Sequence, residues 1–229
     1  MGRLDGKRVL VTGAAGAVGR AVLGRLREEG AAPFAVDRPG ARSDVSGVPF
    51  AEADLTAEHE AVRAVEAAVR ELGGLDGLAC LAGGFIGDRT VLDTPLSVVK
   101  HQFELNVVTA YTVTRAALPF LLSGGSGAIV YVSSRPALQP VRGSVAYAMA
   151  KLALVKLAEV VTAEYREQGV RANAIAPSII DTPANRAAMP KADPTRWVRP
   201  EEVAGLVAYL LSDASRSVGG TVVPIYGRA

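Results

Sequence analysis

The stretch Arg8-Val9-Leu10-Val11-Thr12-Gly13-Ala14-Ala15-Gly16-Ala17-Val18-Gly19 decides the fold. Its first five residues are a β-branched apolar run that Gly13 stops, the pattern of a strand buried on both faces. Past the glycine turn, Ala21, Val22, Leu23 and Leu26 recur at helical spacing among Arg20, Arg25, Arg27, Glu28 and Glu29, as far as Gly30. Pro33-Phe34-Ala35-Val36 then reads as a second strand with Asp37 at its carboxyl end. Strand, helix and strand within about thirty residues imply a parallel pair joined by a right-handed crossover.

The same alternation continues outward. Residues 48–51 read as a third strand, and Thr56 opens a helix with Glu58 and Glu60 near its amino end and Val62, Val65 and Val69 on one side. Residues 78–82 form a fourth strand ending in Gly83-Gly84. Thr94-Pro95 starts a helix that leads into a second one from Asn106 to Leu122. Strands at 128–132, 170–176 and 221–225 and helices at 145–168 and 200–211 complete the series. Seven strands with intervening helices predict a single domain over residues 1–229, a Rossmann-type doubly wound parallel sheet in a three-layer α/β sandwich. The one long irregular segment, 178–199 with Pro183, Pro190 and Pro194, has the length of a substrate lid.

Composition narrows the class. A chain of 229 residues, 49% hydrophobic and 21% charged, is neither disordered, collagenous nor a disulfide-stapled mini-protein. Its only cysteine, Cys80, forms no internal disulfide and reads as a small core residue, so a reducing cytoplasm is the expected location. Residues 116–134 are uncharged, but Pro119 and the Ser-Gly turn at 123–127 cut them, so no membrane helix is expected. The net charge of +2 comes from scattered residues, which argues against nucleic acid. His59 and His101 stand in polar helical surroundings with no matched ligands, so no metal site is expected.

Ligands of open α/β sheets sit beyond the carboxyl ends of the strands. A glycine turn from Gly13 to Gly19, including Gly16, Ala17 and Val18, lets a backbone approach a pyrophosphate while the following helix points free N–H groups at it. Such turns also join many strands to helices without a ligand. Asp37, about twenty residues further on, stands where a carboxylate accepts from adenosine ribose hydroxyls; its other reading is a turn residue before Pro39-Gly40. A carboxylate there repels the extra phosphate of NADP, which favours NAD(H), while Arg38 keeps NADP(H) open.

Tyr147 and Lys151 are i and i+4 on the long predicted helix, so they share a face. An ammonium beside a phenol favours phenolate, which suits proton exchange with the oxygen of a carbonyl or alcohol; the same spacing also occurs on ordinary helix surfaces. Ser134, at the end of the fifth strand, can supply a hydroxyl to that oxygen, whereas strand alternation points Ser133 away. Arg135 either meets an anionic substrate or faces solvent. Met189 and Trp197 either line a substrate pocket or pack the lid onto the body.

Taken in order, the glycine turn, Asp37, Asp54-Leu55, Ala82-Gly83, Asn106, Ser134, Tyr147, Lys151 and Asn173-Ala174-Ile175-Ala176-Pro177 leading to Thr182 resemble the short-chain dehydrogenases/reductases over nearly the whole chain. The resemblance implies a Ser134, Tyr147, Lys151 and Asn106 tetrad. Tyr147 is then the acid/base, Ser134 polarises the substrate oxygen, Lys151 binds the nicotinamide ribose and lowers the tyrosine pKa, and Asn106 helps hold a relay water. Asp54 and Leu55 border the adenine, Gly84 extends the Ala82-Gly83 edge, and Pro177, Ile180 and Thr182 border the nicotinamide. A homodimer or homotetramer is implied by analogy, through helices 145–168 and 200–211, with Ala148, Ala153 and Ala158 allowing close packing.

Three positions depart from the family pattern: Ala17 at the middle glycine, Cys80-Leu81 before Ala82-Gly83, and Ser178 after Pro177. The first two, Tyr147-Ala148-Met149-Ala150-Lys151 and the lid sequence resemble the quinonoid dihydropteridine reductase branch, which typically lacks Ser134 and Asn106. The expected function is NAD(H)-dependent hydride transfer to or from a small carbonyl/alcohol substrate. Alternatives are reduction of a quinonoid dihydropterin or related ring, and a non-catalytic dinucleotide-responsive binding protein.

Overall fold

A computed structural model describes residues 2–41, 47–87 and 89–228. The elements are β1 (Arg8–Thr12), α1 (Ala17–Glu28), β2 (Ala32–Asp37), β3 (Phe50–Glu52), α2 (Glu58–Leu72), β4 (Gly77–Cys80), α3 (Leu96–Phe103) and α4 (Thr109–Ser123). They continue with β5 (Gly127–Val132), α5 (Arg135–Leu138), α6 (Val145–Tyr165), β6 (Val170–Pro177), α7 (Pro183–Ala188), α8 (Pro200–Leu211) and β7 (Val222–Ile225). All seven strands pair in parallel in the order β3-β2-β1-β4-β5-β6-β7. The order reverses between β1 and β4, and the crevice there is where such a sheet receives its ligand.

Strand alternation builds two cores. Leu10, Val36, Leu78, Cys80, Ile129, Tyr131 and Ala172 face α2, α4 and α6. Their neighbours Val9, Val11, Ala35, Ala79, Ala128, Val130 and Ile175 face α1 and α8. Cys80 lies in the first core, 3% exposed, and burial pushes its thiol up to about 12. His59 and His101 are exposed.

Several element limits differ from expectation, each for a local reason. β4 ends at Cys80 rather than residue 82 because the Leu81 and Ala82 N–H groups both turn to Thr12 Oγ1, at 3.2 Å each. Thr56 does not cap α2, since its hydroxyl donates to Asp54 Oδ1 at 2.7 Å and the helix starts two residues later. The two helices expected at 95–122 are one rod, in which α3 passes through a π turn at Glu104–Val108 into α4. This rod, Leu96–Ser123, is long and apolar enough to cross a membrane. Its Ala110, Val113, Ala117 and Leu121 instead pack in the first core. The 178–199 segment is more ordered than a loop, with α7, a 3-10 turn at Pro194–Arg196 and an Ile180–Val198 bridge.

Candidate active site

Gly13, Gly16 and Gly19 have different tasks in the β1–α1 turn. Gly13 adopts φ +65°, and a Cβ there would lie 2.7 Å from the Ala82 nitrogen. A Cβ on Gly19 would lie 2.3 Å from the Gly13 carbonyl oxygen, so this glycine lets α1 seat against the strand end. Gly16, the residue before α1, would hold its Cβ 3.3 Å from that oxygen. Ala17 therefore stands in the first turn of α1, where a side chain is accommodated, and its departure from the family pattern is harmless to the backbone. The turn is braced from β2, because Asp37 Oδ2 accepts the Ala15 N–H and Oδ1 accepts the Arg38 N–H, both at 2.8 Å. Each carboxylate oxygen keeps a further lone pair.

A cleft of about 1030 Å³ opens above this turn. Its walls include Gly13, Gly16, Ala17, Val18, Gly19, Asp37, Arg38, Asp54, Leu55, Ala82, Gly83, Gly84 and Thr182. The volume suits a dinucleotide, the free N–H groups of the first turn of α1 suit its pyrophosphate, and the Asp37 carboxylate suits a ribose diol. Pro177 and Ile180 do not line the cleft: Pro177 is buried at the end of β6, and the Ile180 carbonyl is taken by Asn185 Nδ2 at 2.7 Å. Arg20, Leu105, Thr109, Pro183 and Ala184 are additional wall residues that sequence reading missed. Arg20 follows Gly19 directly and its guanidinium donates to the Ala15 carbonyl at 2.5 Å, so proximity to the turn was its available signal.

The four residues expected to act together, Asn106, Ser134, Tyr147 and Lys151, lie behind the Gly83 wall of the cleft. A Cβ on Gly83 would come 2.5 Å from Asn106 Oδ1 and 3.1 Å from Lys151 Nζ, so this wall glycine touches two members at once. Asn106, fully buried in the π turn, accepts the Gly84 N–H at 3.2 Å and donates to the Gly84 carbonyl at 3.1 Å and the Gln102 carbonyl at 3.0 Å. Three consecutive residues at the end of β5 orient α6. The Val132 carbonyl accepts from Lys151 Nζ at 2.8 Å, Ser133 Oγ donates to the Lys151 carbonyl at 2.7 Å, and Ser134 is turned toward the Tyr147 phenol. Ser133 and Ser134 thus point to different partners, as strand alternation requires.

The electrostatics correct one expectation. Burial pushes the Tyr147 phenol above its ordinary value of 10.0, with the Ser134 hydrogen bond working against it. Lys151 does not offset that burial here: its Nζ lies 5.7 Å from the Tyr147 ring centroid, and burial lowers its own pKa to about 8. The lysine reads as a buried, weakened cation poised near the cleft, and the phenol as a proton holder.

Other substrate-side candidates separate. Arg135 stacks its guanidinium over Tyr226 at 5.3 Å and donates to Gln139 at 2.9 Å. Met189 follows α7 half-buried and Trp197 is buried at 6% exposure, and neither is among the walls of the dinucleotide cleft. Ala158, named above for intersubunit packing, lies fully inside the first core.

Comparison with known proteins agrees with this geometry. The family profile described as Enoyl-(Acyl carrier protein) reductase matches residues 13–227. The chain is 32% identical over 246 residues to Dehydrogenase/reductase SDR family member 6 of Danio rerio, covering 99% of this chain and 98% of that protein. It is 31% identical over 244 residues to the cis-4-hydroxycyclohexanecarboxylate dehydrogenase of Sinomonas cyclohexanicum, with the same coverages. A crystal structure of NAD+-bound xylitol dehydrogenase superposes with a TM-score of 0.89 at 28% identity, covering 98% of this chain and 99% of that one. The chain belongs to the short-chain dehydrogenase/reductase family, oxidoreductases acting on CH–OH and C=O groups. The dihydropteridine reductase branch is not singled out by these matches.

Proposed function

We propose that this protein is an NAD(H)-dependent oxidoreductase acting on a small carbonyl/alcohol pair, with Tyr147 as acid/base. The observation that carries the reading is the placing of the Tyr147 phenol near Ser134 and beside buried Lys151 and Asn106, next to the Gly83 wall of a dinucleotide-sized cleft. Two of the similar proteins are named for dehydrogenating hydroxyl compounds, cis-4-hydroxycyclohexanecarboxylate and xylitol, and one of them was crystallised with NAD+. Asp37 favours NAD(H), since its carboxylate sits at the turn where an added ribose phosphate would meet negative charge.

Bound in the cleft, the nicotinamide supplies hydride to the substrate carbon in reduction, or accepts it in oxidation. The protein's own residues handle the oxygen. Ser134 donates a hydrogen bond to it, and Tyr147 delivers the proton as the C–O π bond breaks, so the carbonyl is reduced to an alcohol while the dinucleotide is oxidised. A phenol held above pH 10 by burial is protonated at neutral pH and so is ready as the acid. Lys151 and Asn106 fix the surrounding polar groups, and the phenolate left when the proton is delivered takes up a proton before the next turnover.

The test is NADH oxidation across a panel of ketones, quinones and quinonoid dihydropterin, each run again with NADPH. Turnover of ketones with NADH preferred supports the reading. Turnover of the pterin alone assigns the reductase alternative, and no turnover throughout assigns a non-catalytic binding role.

A further inference from the structure

Phe85 follows the Gly83-Gly84 wall and belongs to none of the groups that handle the proton or the dinucleotide. It is 58% exposed, yet it is held in place. Its ring stands edge-on to Tyr147, with centroids 4.9 Å apart and planes at 86°. On another side Gly87 lies so close that a Cβ there would sit 2.1 Å from Phe85 Cζ, so a side chain at 87 would displace the ring. The same connection is tied to the start of α6 by the Arg89–Ser144 bridge, and Ile86 beside Phe85 is 38% exposed. An aromatic ring packed against the Tyr147 ring but left open to solvent offers an apolar surface beside the phenol, and such rings meet partners by edge or face contact.

Resting on the assignment of Tyr147 as acid/base, we propose that Phe85 is the specificity-determining wall of the substrate site, and that the substrate is a carbonyl or secondary alcohol carried on an apolar hydrocarbon ring. A ring placed against Phe85 sets its oxygen toward Ser134 and Tyr147, whereas a short open-chain ketone leaves that surface uncovered. The Phe85 ring covers part of the Tyr147 ring and so adds to the burial that raises the phenol.

The test compares wild type with Phe85→Ala, Phe85→Leu and Phe85→Tyr in NADH-dependent reduction of cyclohexanone and 2-butanone. The proposal expects Phe85→Ala to lower the cyclohexanone to 2-butanone ratio of kcat/KM by about tenfold or more, chiefly through KM. Phe85→Tyr should restore the ratio, and Phe85→Leu should fall between. The tyrosine limb of the pH profile should move to lower pH in Phe85→Ala, while melting temperature and NADH affinity stay unchanged. An unaltered ratio, or an equal fall for both ketones, overturns it. Ligand-detected NMR of the two ketones against the NADH-loaded proteins reads the same preference without turnover. Loss of the cyclohexanone preference in Phe85→Ala supports the wall even if wild type reduces neither ketone, an outcome that counts against the proposed activity alone. Equal binding of the two ketones by wild type overturns the wall.

Discussion

The two sides of the crevice are built differently. On the dinucleotide side, a short turn joins β1 to α1 and is fixed by backbone contacts: Gly13 against Ala82, Gly19 against Gly13 and Ala14, and Asp37 against two N–H groups. On the other side, the connection from β4 to α3 carries exposed apolar side chains, with Phe85 at 58%, Val91 at 76% and Leu92 at 93% exposure. The first side forbids a side chain at Gly13 and Gly19, whereas the second presents side chains to solvent. A family that keeps one cofactor chemistry while changing substrates is expected to divide its fold in this way.

The largest effect expected on the rigid side comes from Gly19→Ala, whose Cβ would fall 2.3 Å from the Gly13 carbonyl oxygen. It should cost about 1–3 kcal/mol, a fall of several degrees in Tm, and remove measurable NADH binding in a fluorescence titration. Gly16→Ala, with its nearest contact at 3.3 Å, should melt near wild type. Equal behaviour of the two variants would break the comparison.

Where the two sides meet, Lys151→Met tests the buried cation. Burial lowers the lysine pKa from 10.5 to about 8, so within that window the unfolded chain holds a proton that the folded one has lost. The lysine's contribution to stability therefore rises with pH between about 8 and 10.5, and below pH 8 the fold carries a buried charge. Removing the charge should stabilise the cofactor-free protein by on the order of 3 kcal/mol below pH 8, with the advantage over wild type vanishing toward pH 10.5. Denaturant melts of both proteins across that range check the sign, and a pH-independent difference would contradict it.

A smaller effect is expected at Asp37. Asp37→Asn keeps an oxygen for one of the two N–H groups but loses the charge, so NADH should bind about tenfold more weakly, near 1.4 kcal/mol, with discrimination against NADPH reduced. Paired titrations of the two dinucleotides measure it.

This division also explains what could be read from the residues alone. The β1–α1 turn, Asp37 and the alternation of apolar strands with amphipathic helices were legible because backbone geometry demands particular residue types at particular offsets. The end of β4 was not, because it depends on Thr12, which is remote in sequence but takes the Leu81 and Ala82 N–H groups. Tyr147 and Lys151 were legible as a helical pair, but the sign of the phenol shift was not, since it follows from tertiary burial and not from spacing. Trp197 and Phe85 show the same limit. The larger aromatic is buried and the smaller one is exposed beside the phenol, and only the packing of the segments that carry them distinguishes them.

The most direct test of the central claim is NADH oxidation by wild type and Tyr147→Phe with a ketone that the wild type reduces, alongside NADH affinity for each. Loss of the phenol proton should lower kcat by about a thousandfold, with the Kd for NADH changed by less than about threefold. Retention of most of the activity by the phenylalanine variant would contradict the assignment of Tyr147 as the acid/base.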